Sequence, residues 1–151
     1  MPNYARLIRF INLYIPFLCM GIRVRSVDAD RRRFEVELRE HWYNRNLFGT
    51  HFGGSLYTMS DPFYLFIVLL NLGDAYIVWD KSASIEFRRP ARGRITGIFE
   101  IAAETLDAIR KAVDANGKGT YDFTTDLLDD AGEAVARVQK TIYVRRKDAT
   151  R

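Results

Sequence analysis

Cysteine is nearly missing from this 151-residue chain: Cys19 is the only one, so neither an internal disulfide nor a cysteine-cluster zinc site can form. Histidine is almost as scarce. With only His41 and His51, the sequence offers no histidine-rich metal centre, and no metal or other cofactor is expected. Neither sign of charge dominates, because 23 basic and 19 acidic residues leave a net +4, too little to imply a nucleic-acid partner. Long apolar runs are also absent. The longest, residues 65–70, is far shorter than the ~20 residues that span a bilayer. What the chain does have is 48% apolar residues, with 10 Phe and 8 Tyr, which supply a real core and argue against intrinsic disorder. At roughly 100 to 200 residues per domain, one domain over residues 1–151 is expected.

The N-terminus resembles a leader only superficially. Residues 7–22 are apolar and aromatic, but Arg6, Arg9, Asn12 and Pro16 break the pattern and Ala-x-Ala-like cleavage residues are missing. The expectation is therefore a soluble, cytoplasmic protein. Leu7, Ile8, Ile11 and Ile15 recur at helical spacing, which predicts an N-terminal helix over 1–18 docked on the core as a lid. A peripheral membrane contact by the same face, beside Arg6 and Arg9, is the less favoured reading.

Alternation then takes over. Ile22, Val24 and Ser26 alternate with arginines, and Phe34, Val36 and Leu38 with charged residues, so two half-buried strands form a hairpin around the polar stretch 28–32. Residues 42–54 carry Asn44, Asn46, Gly49, Gly53 and Gly54, the composition of a shaped loop. From Ser55 to Leu72 the chain is apolar on nearly every side, which predicts a helix buried all round, with Gly73 ending it. Further alternation at 83–87, 95–101, 121–125 and 138–144 predicts four more strands, with a short helix over 106–115 capped by Gly117. An antiparallel sheet and one long apolar helix bury each other best when the sheet curls around the helix, an α+β arrangement known as the hotdog fold.

Here a resemblance becomes specific. The stretch from Asn46 to Asp61, Asn-Leu-Phe-Gly-Thr-His-Phe-Gly-Gly-Ser-Leu-Tyr-Thr-Met-Ser-Asp, resembles the loop and helix signature of hotdog acyl-CoA thioesterases of the phenylacetate-pathway type. Pro16-Phe-Leu, Asp61-Pro62-Phe63 and Val78-Trp-Asp-Lys81 resemble a narrower hotdog family labelled tetrameric acyl-CoA thioesterase. The resemblance spans nearly the whole chain. It implies a central helix over 53–72, a homodimer or homotetramer, an acyl-CoA or related acyl thioester as substrate, and no cofactor.

Thioester hydrolysis needs a polarised carbonyl, an attacking water or carboxylate, and a place for the nucleotide end of coenzyme A. Gly53 and Gly54 stand where the loop enters the helix, so their N–H groups are unpaired by it and face a developing oxyanion. The resemblance implies the same role; a tight junction with no catalytic duty is the competing reading. Asp61 is the leading catalytic candidate, because a carboxylate inside an apolar segment is costly unless something uses or pairs it. Helical spacing places Tyr57, Thr58 and Tyr64 on its face as a polar stripe lining a substrate cleft. Asp61 also reads as a helix N-cap, with Pro62 at the first helical position.

The resemblance assigns Asn46 to orienting the attacking water or the carbonyl, against an ordinary turn asparagine. It fails at one point: Phe52 stands where the better-known enzymes have histidine, and His51 is one residue early, a candidate substrate-orienting group. Arg88, Arg89, Arg92 and Arg94 crowd a turn where they can meet coenzyme A phosphates, the alternative being a solvated charged turn. Asp80 and Lys81 read as a structural pair. Two other functions compete with the thioesterase: a non-catalytic acyl-CoA or fatty-acyl binding module, favoured by Phe52, and a hotdog dehydratase, for which only His51-Phe52-Gly53 speaks.

Overall fold

The computed structural model describes residues 10–147. Six strands, β1 (Ile22–Val27), β2 (Arg33–Arg39), β3 (Tyr76–Phe87), β4 (Arg94–Glu100), β5 (Lys118–Leu128) and β6 (Ala134–Arg146), form one antiparallel sheet. Its order is β1-β2-β4-β5-β6-β3, so the hairpin strand β1 and the long strand β3 are its edges. Each predicted alternation matches a strand, though β3, β5 and β6 run longer than the pattern alone suggests. Asp28 closes the first hairpin as expected of a short polar turn: its Oδ1 accepts the Arg32 and Arg33 N–H groups at 2.7 and 2.9 Å.

The helices are α1 (Ile15–Met20), α2 (Gly53–Thr58), α3 (Phe63–Leu72) and α4 (Ala103–Asn116). Gly117, in the left-handed region at φ 77°, donates its N–H to the Val113 carbonyl at 2.7 Å and ends α4 as the sequence predicts. Of the expected N-terminal helix over 1–18, residues 1–9 lie outside the described residues. The remainder is not one helix but a 3-10 turn over Ile11–Leu13, an extended Tyr14, and then α1, in which Pro16 sits in the first turn instead of interrupting it. Within the 3-10 turn Asn12 reaches the sheet. Its amide donates to the Val24 carbonyl at 3.0 Å and accepts the Val24 N–H at 2.8 Å, so one side chain occupies the open edge of β1.

The central segment spans 53–72 as expected, but residues 59–62 turn between α2 and α3. Pro62 has no N–H to give the Thr58 carbonyl, and the Asp61 N–H takes that carbonyl instead, at 3.2 Å. Gly53–Leu72 is apolar and long enough by composition to cross a membrane, yet 56% of its most apolar 18 residues is buried inside the fold, where the sheet supplies apolar surroundings. Phe63, fully buried, packs its ring 5.0 Å from Phe99, 5.5 Å from Phe34 and 6.1 Å from Phe17. The expectation of burial all round needs one correction: Leu65, Phe66, Leu69 and Leu70 lie on a face of α3 that one chain leaves half-covered.

Candidate active site

The break in the central helix decides where its polar side chains go. Asp61 does not cap α3: Pro62 holds the cap position and no side chain bonds the first turn. The Asp61 carboxylate turns instead to Lys140 on β6, whose Nζ lies 3.1 Å from Asp61 Oδ1 and 3.2 Å from Asp80 Oδ1 on β3. Lys140 is buried, with 1% of its side chain exposed, whereas Asp61 is 50% exposed. The lysine is thus the floor of the cluster and Asp61 its mouth. Burial holds the Asp80 carboxyl above its ordinary range, and repulsion from Asp61 adds to this, while Lys140 acts in the opposite direction. Asp80 therefore pairs with Lys140, not with Lys81. Asp80 faces inward in phase with Tyr76 and Val78, and a β-bulge between Asp80 and Ser82 then takes up Lys81 as an extra, exposed residue.

Of the predicted stripe, Tyr57 and Thr58 stay near Asp61. The Tyr57 ring centre lies 6.0 Å from Lys140 Nζ, and Thr58 donates its hydroxyl to the Gly54 carbonyl at 2.8 Å. Tyr64 does not share that face. Because the turn at 59–62 resets the helical phase, Tyr64 enters the core, stacks 5.0 Å from Phe123 and donates its hydroxyl to the Thr124 carbonyl at 2.9 Å. Burial pushes its phenol up to about 12, so it is no acid near neutral pH. Beside Asp61 opens an apolar cleft of about 550 Å³ between Phe10, Leu13, Tyr14 and Phe17 on one side and Thr58, Pro62 and Phe66 on the other.

The glycine junction forms a second cluster. Gly53 and Gly54 open α2, ahead of the first intrahelical bond, which Ser55 gives to the Phe52 carbonyl at 2.9 Å. Aromatic rings stand against both glycines: a methyl group on Gly53 would lie 3.0 Å from Phe87, and one on Gly54 would collide with Phe52. A cleft of about 510 Å³ joins Gly53 to Asn46, His51, Arg88 and Arg89. Asn46 spends its groups inside the loop: its amide donates to Thr50 Oγ1 and the His51 carbonyl, and its oxygen accepts the N–H groups of Phe48 and Thr50. His51 is buried, with Nε2 2.8 Å from the Gly93 carbonyl, which can only accept. In the neutral ring Nδ1 then carries the lone pair, and this buried nitrogen has no partner among the described residues.

The four arginines are largely engaged. Arg89 pairs with Glu133 at 2.6 Å, Arg94 with Asp130 at 2.6 Å, and Arg88 stands 3.8 Å from both Glu86 and Asp126. Arg92 donates to the Gly49 carbonyl at 2.7 Å, fastening the two loops together. Only Arg88 and Arg89 line the glycine cleft. Within one chain the two clefts share no lining residue: one opens at the start of α2, the other at the turn that follows it.

A family model described as a domain of unknown function, DUF4442, matches residues 5–144. The chain belongs to the DUF4442 family. Among solved structures, a Pseudomonas aeruginosa protein of unknown function, described as a probable thioesterase, is 24% identical with a TM-score of 0.83, covering 97% of this chain and 98% of its own. A Chlorobaculum tepidum protein of unknown function is 18% identical with a TM-score of 0.76, over 95% and 94% of the two chains. A Haemophilus influenzae thioesterase is 12% identical with a TM-score of 0.66, over 92% and 90%. These likenesses show the hotdog fold. No curated protein matches the sequence.

In this DUF4442 chain the residue that sequence reasoning missed is Lys140. The signal was there: Ala136, Val138, Ile142 and Val144 are the inward positions of β6, and a lysine interrupts them in phase. The apolar wall from Phe10 to Phe17 was missed too, since it exists only once that segment folds against Phe66. Among the described residues no three His, Cys, Asp or Glu side chains converge as a metal site would require.

Proposed function

We propose that this protein is a cofactor-free thioesterase that hydrolyses acyl-CoA. The observation that carries the reading is the Asp61 carboxylate, half-exposed and ion-paired, at the mouth of an apolar cleft of about 550 Å³. That cleft takes the acyl chain. Asp61 draws a proton from a water that attacks the carbonyl carbon; the oxyanion forms against the Gly53 and Gly54 N–H groups; the C–S bond then breaks and the thiolate leaves, to be protonated. Direct attack by the carboxylate is the other route the same geometry supports. Arg88 and Arg89, beside the glycine junction, face the nucleotide end. Solved structures of the same fold that are named thioesterases support the reading.

Because the glycine junction and Asp61 open into different clefts of one chain, the site is assembled across a two-fold axis, with the junction of one subunit meeting Asp61 of the other. The edges of the sheet favour this. Asn12 blocks the edge at β1, whereas β3 presents twelve residues with Trp79 and Phe87 exposed, and α3 leaves an apolar face half-covered. Light scattering at micromolar concentration is expected to give a dimer or tetramer. The 17.5 kDa monomer mass would sink the shared site.

The function itself is tested with a panel of acyl-CoA substrates and free-thiol detection. Thiol release with an optimum in chain length is the expected result. One observation favours the binding module: the Phe52 and Phe87 rings stand against the glycines where a carbonyl would approach. Saturable binding without thiol release across the panel would establish that reading instead. A dehydratase gains nothing here, because His51 commits Nε2 to Gly93 and is buried.

A further inference from the structure

We propose that Lys140 is a positioning residue that aims Asp61 at the cleft and screens it from the second carboxylate, and that Asp80 is the counterweight that sets how strongly it does so. This rests on the thioesterase reading. Both carboxylates contact a single ammonium, at 3.1 and 3.2 Å, so they lie within about 6 Å of each other and repel strongly wherever that charge is removed. A buried lysine is tolerated only when paired, and these are the ion pairs that hold Lys140. Its cross-strand and ring neighbours are neutral. On β3 its cross-strand neighbour is Ala83, on β5 it is Phe123, and from α2 Tyr57 offers the face of its ring. The cluster therefore carries two negative charges and one positive. Asp61, at the exposed end, is the carboxylate that can meet substrate, and Asp80, 29% exposed behind it, cannot do so as readily.

Removing the lysine leaves two carboxylates sharing a partly buried site, and such a pair retains one proton to higher pH than either group alone. The acid limb of kcat/KM in Lys140→Met should move up by about one pH unit or more, so that activity on the acid side of the limb falls roughly tenfold. Adding Asp80→Asn to Lys140→Met removes the repulsion and should return most of that shift. Asp80→Asn alone keeps the lysine, frees it for Asp61, and should move the limb below that of wild type. Loss of packing alone predicts none of these movements. An acid limb that stays put in Lys140→Met, or a double variant that behaves like Lys140→Met, overturns the assignment. Should Lys140→Met fail to fold, Asp80→Asn decides, and an unmoved limb there overturns it equally.

If the wild type releases no thiol from any acyl-CoA, the thioesterase reading fails while the charge linkage can still be read from melting temperature against pH. A carboxyl held above its ordinary range contributes stability that is complete below the unfolded value and lost as pH rises through the folded one. Asp80 is such a group. Between pH 4 and 7 the melting temperature of Lys140→Met should therefore fall relative to wild type, and Asp80→Asn should cancel much of that relative fall. Parallel curves for the three proteins would overturn the linkage itself.

Discussion

Replacing Asp61 by asparagine is expected to cut acyl-CoA hydrolysis by at least ~10²-fold, the loss typical of a positioned acid–base group, while the protein melts near the wild-type temperature. The structure sharpens this expectation. No capping bond is at stake, because Asp61 does not cap α3, and Lys140 keeps Asp80 as a partner after the change. The pair that is lost involves a carboxylate already 50% exposed, so its contribution to stability is at most about 1 kcal/mol. Asparagine still fits the turn and still hydrogen-bonds Lys140, but it can neither take a proton from water nor attack a carbonyl. Steady-state hydrolysis on the best acyl-CoA and a thermal melt, made on the same preparation, check both halves. A variant that melts normally and keeps most of its activity would eliminate Asp61 as the catalytic group and raise the binding module above the enzyme.

The largest effect on stability is expected at Phe63, two residues further on. Its ring is fully buried and meets those of Phe17, Phe34, Phe66 and Phe99, which come from α1, β2, α3 and β4. Truncation to alanine removes a side chain that joins α3 to the other three elements and leaves a void they cannot all close. Phe63→Ala should cost about 3–5 kcal/mol, a large part of the 5–15 kcal/mol typical of a domain. Phe63→Leu, which refills most of the volume, should cost appreciably less. Urea denaturation measures both. A loss under about 1 kcal/mol for the alanine variant would show that the α3 start is not the centre of the core.

The elements that hold Asp61 and Phe63 in place differ in how far local residue patterns reveal them. Half-buried strands declare themselves because each presents one face to the core, and so Phe34, Val36 and Leu38, or Ile95 and Phe99, stand out against their charged neighbours. Helix α4 was legible for a comparable reason: its apolar residues recur on one face, and Gly117 stands where a left-handed cap is needed. The N-terminal residues misled, because helical spacing there is broken by the extended Tyr14 and by a side chain, Asn12, that serves the sheet instead.

By itself the sequence determined the order of elements, the hotdog architecture and the candidacy of Asp61, since these depend on local periodicity and on one carboxylate in an apolar run. Tertiary structure alone decided the surroundings of that carboxylate. Asp80 and Lys140 are sixty positions apart and meet because β3 and β6 pair antiparallel with both side chains on the inward face. Tyr64 left the predicted stripe because a proline-bearing turn reset the phase of the helix, and Arg88, Arg89 and Arg94 found acidic partners on β5 and the β5–β6 turn. Pairing across strands, helix phase after a break, and the choice of ionic partner are set by contacts between distant segments, which no local pattern of residues encodes.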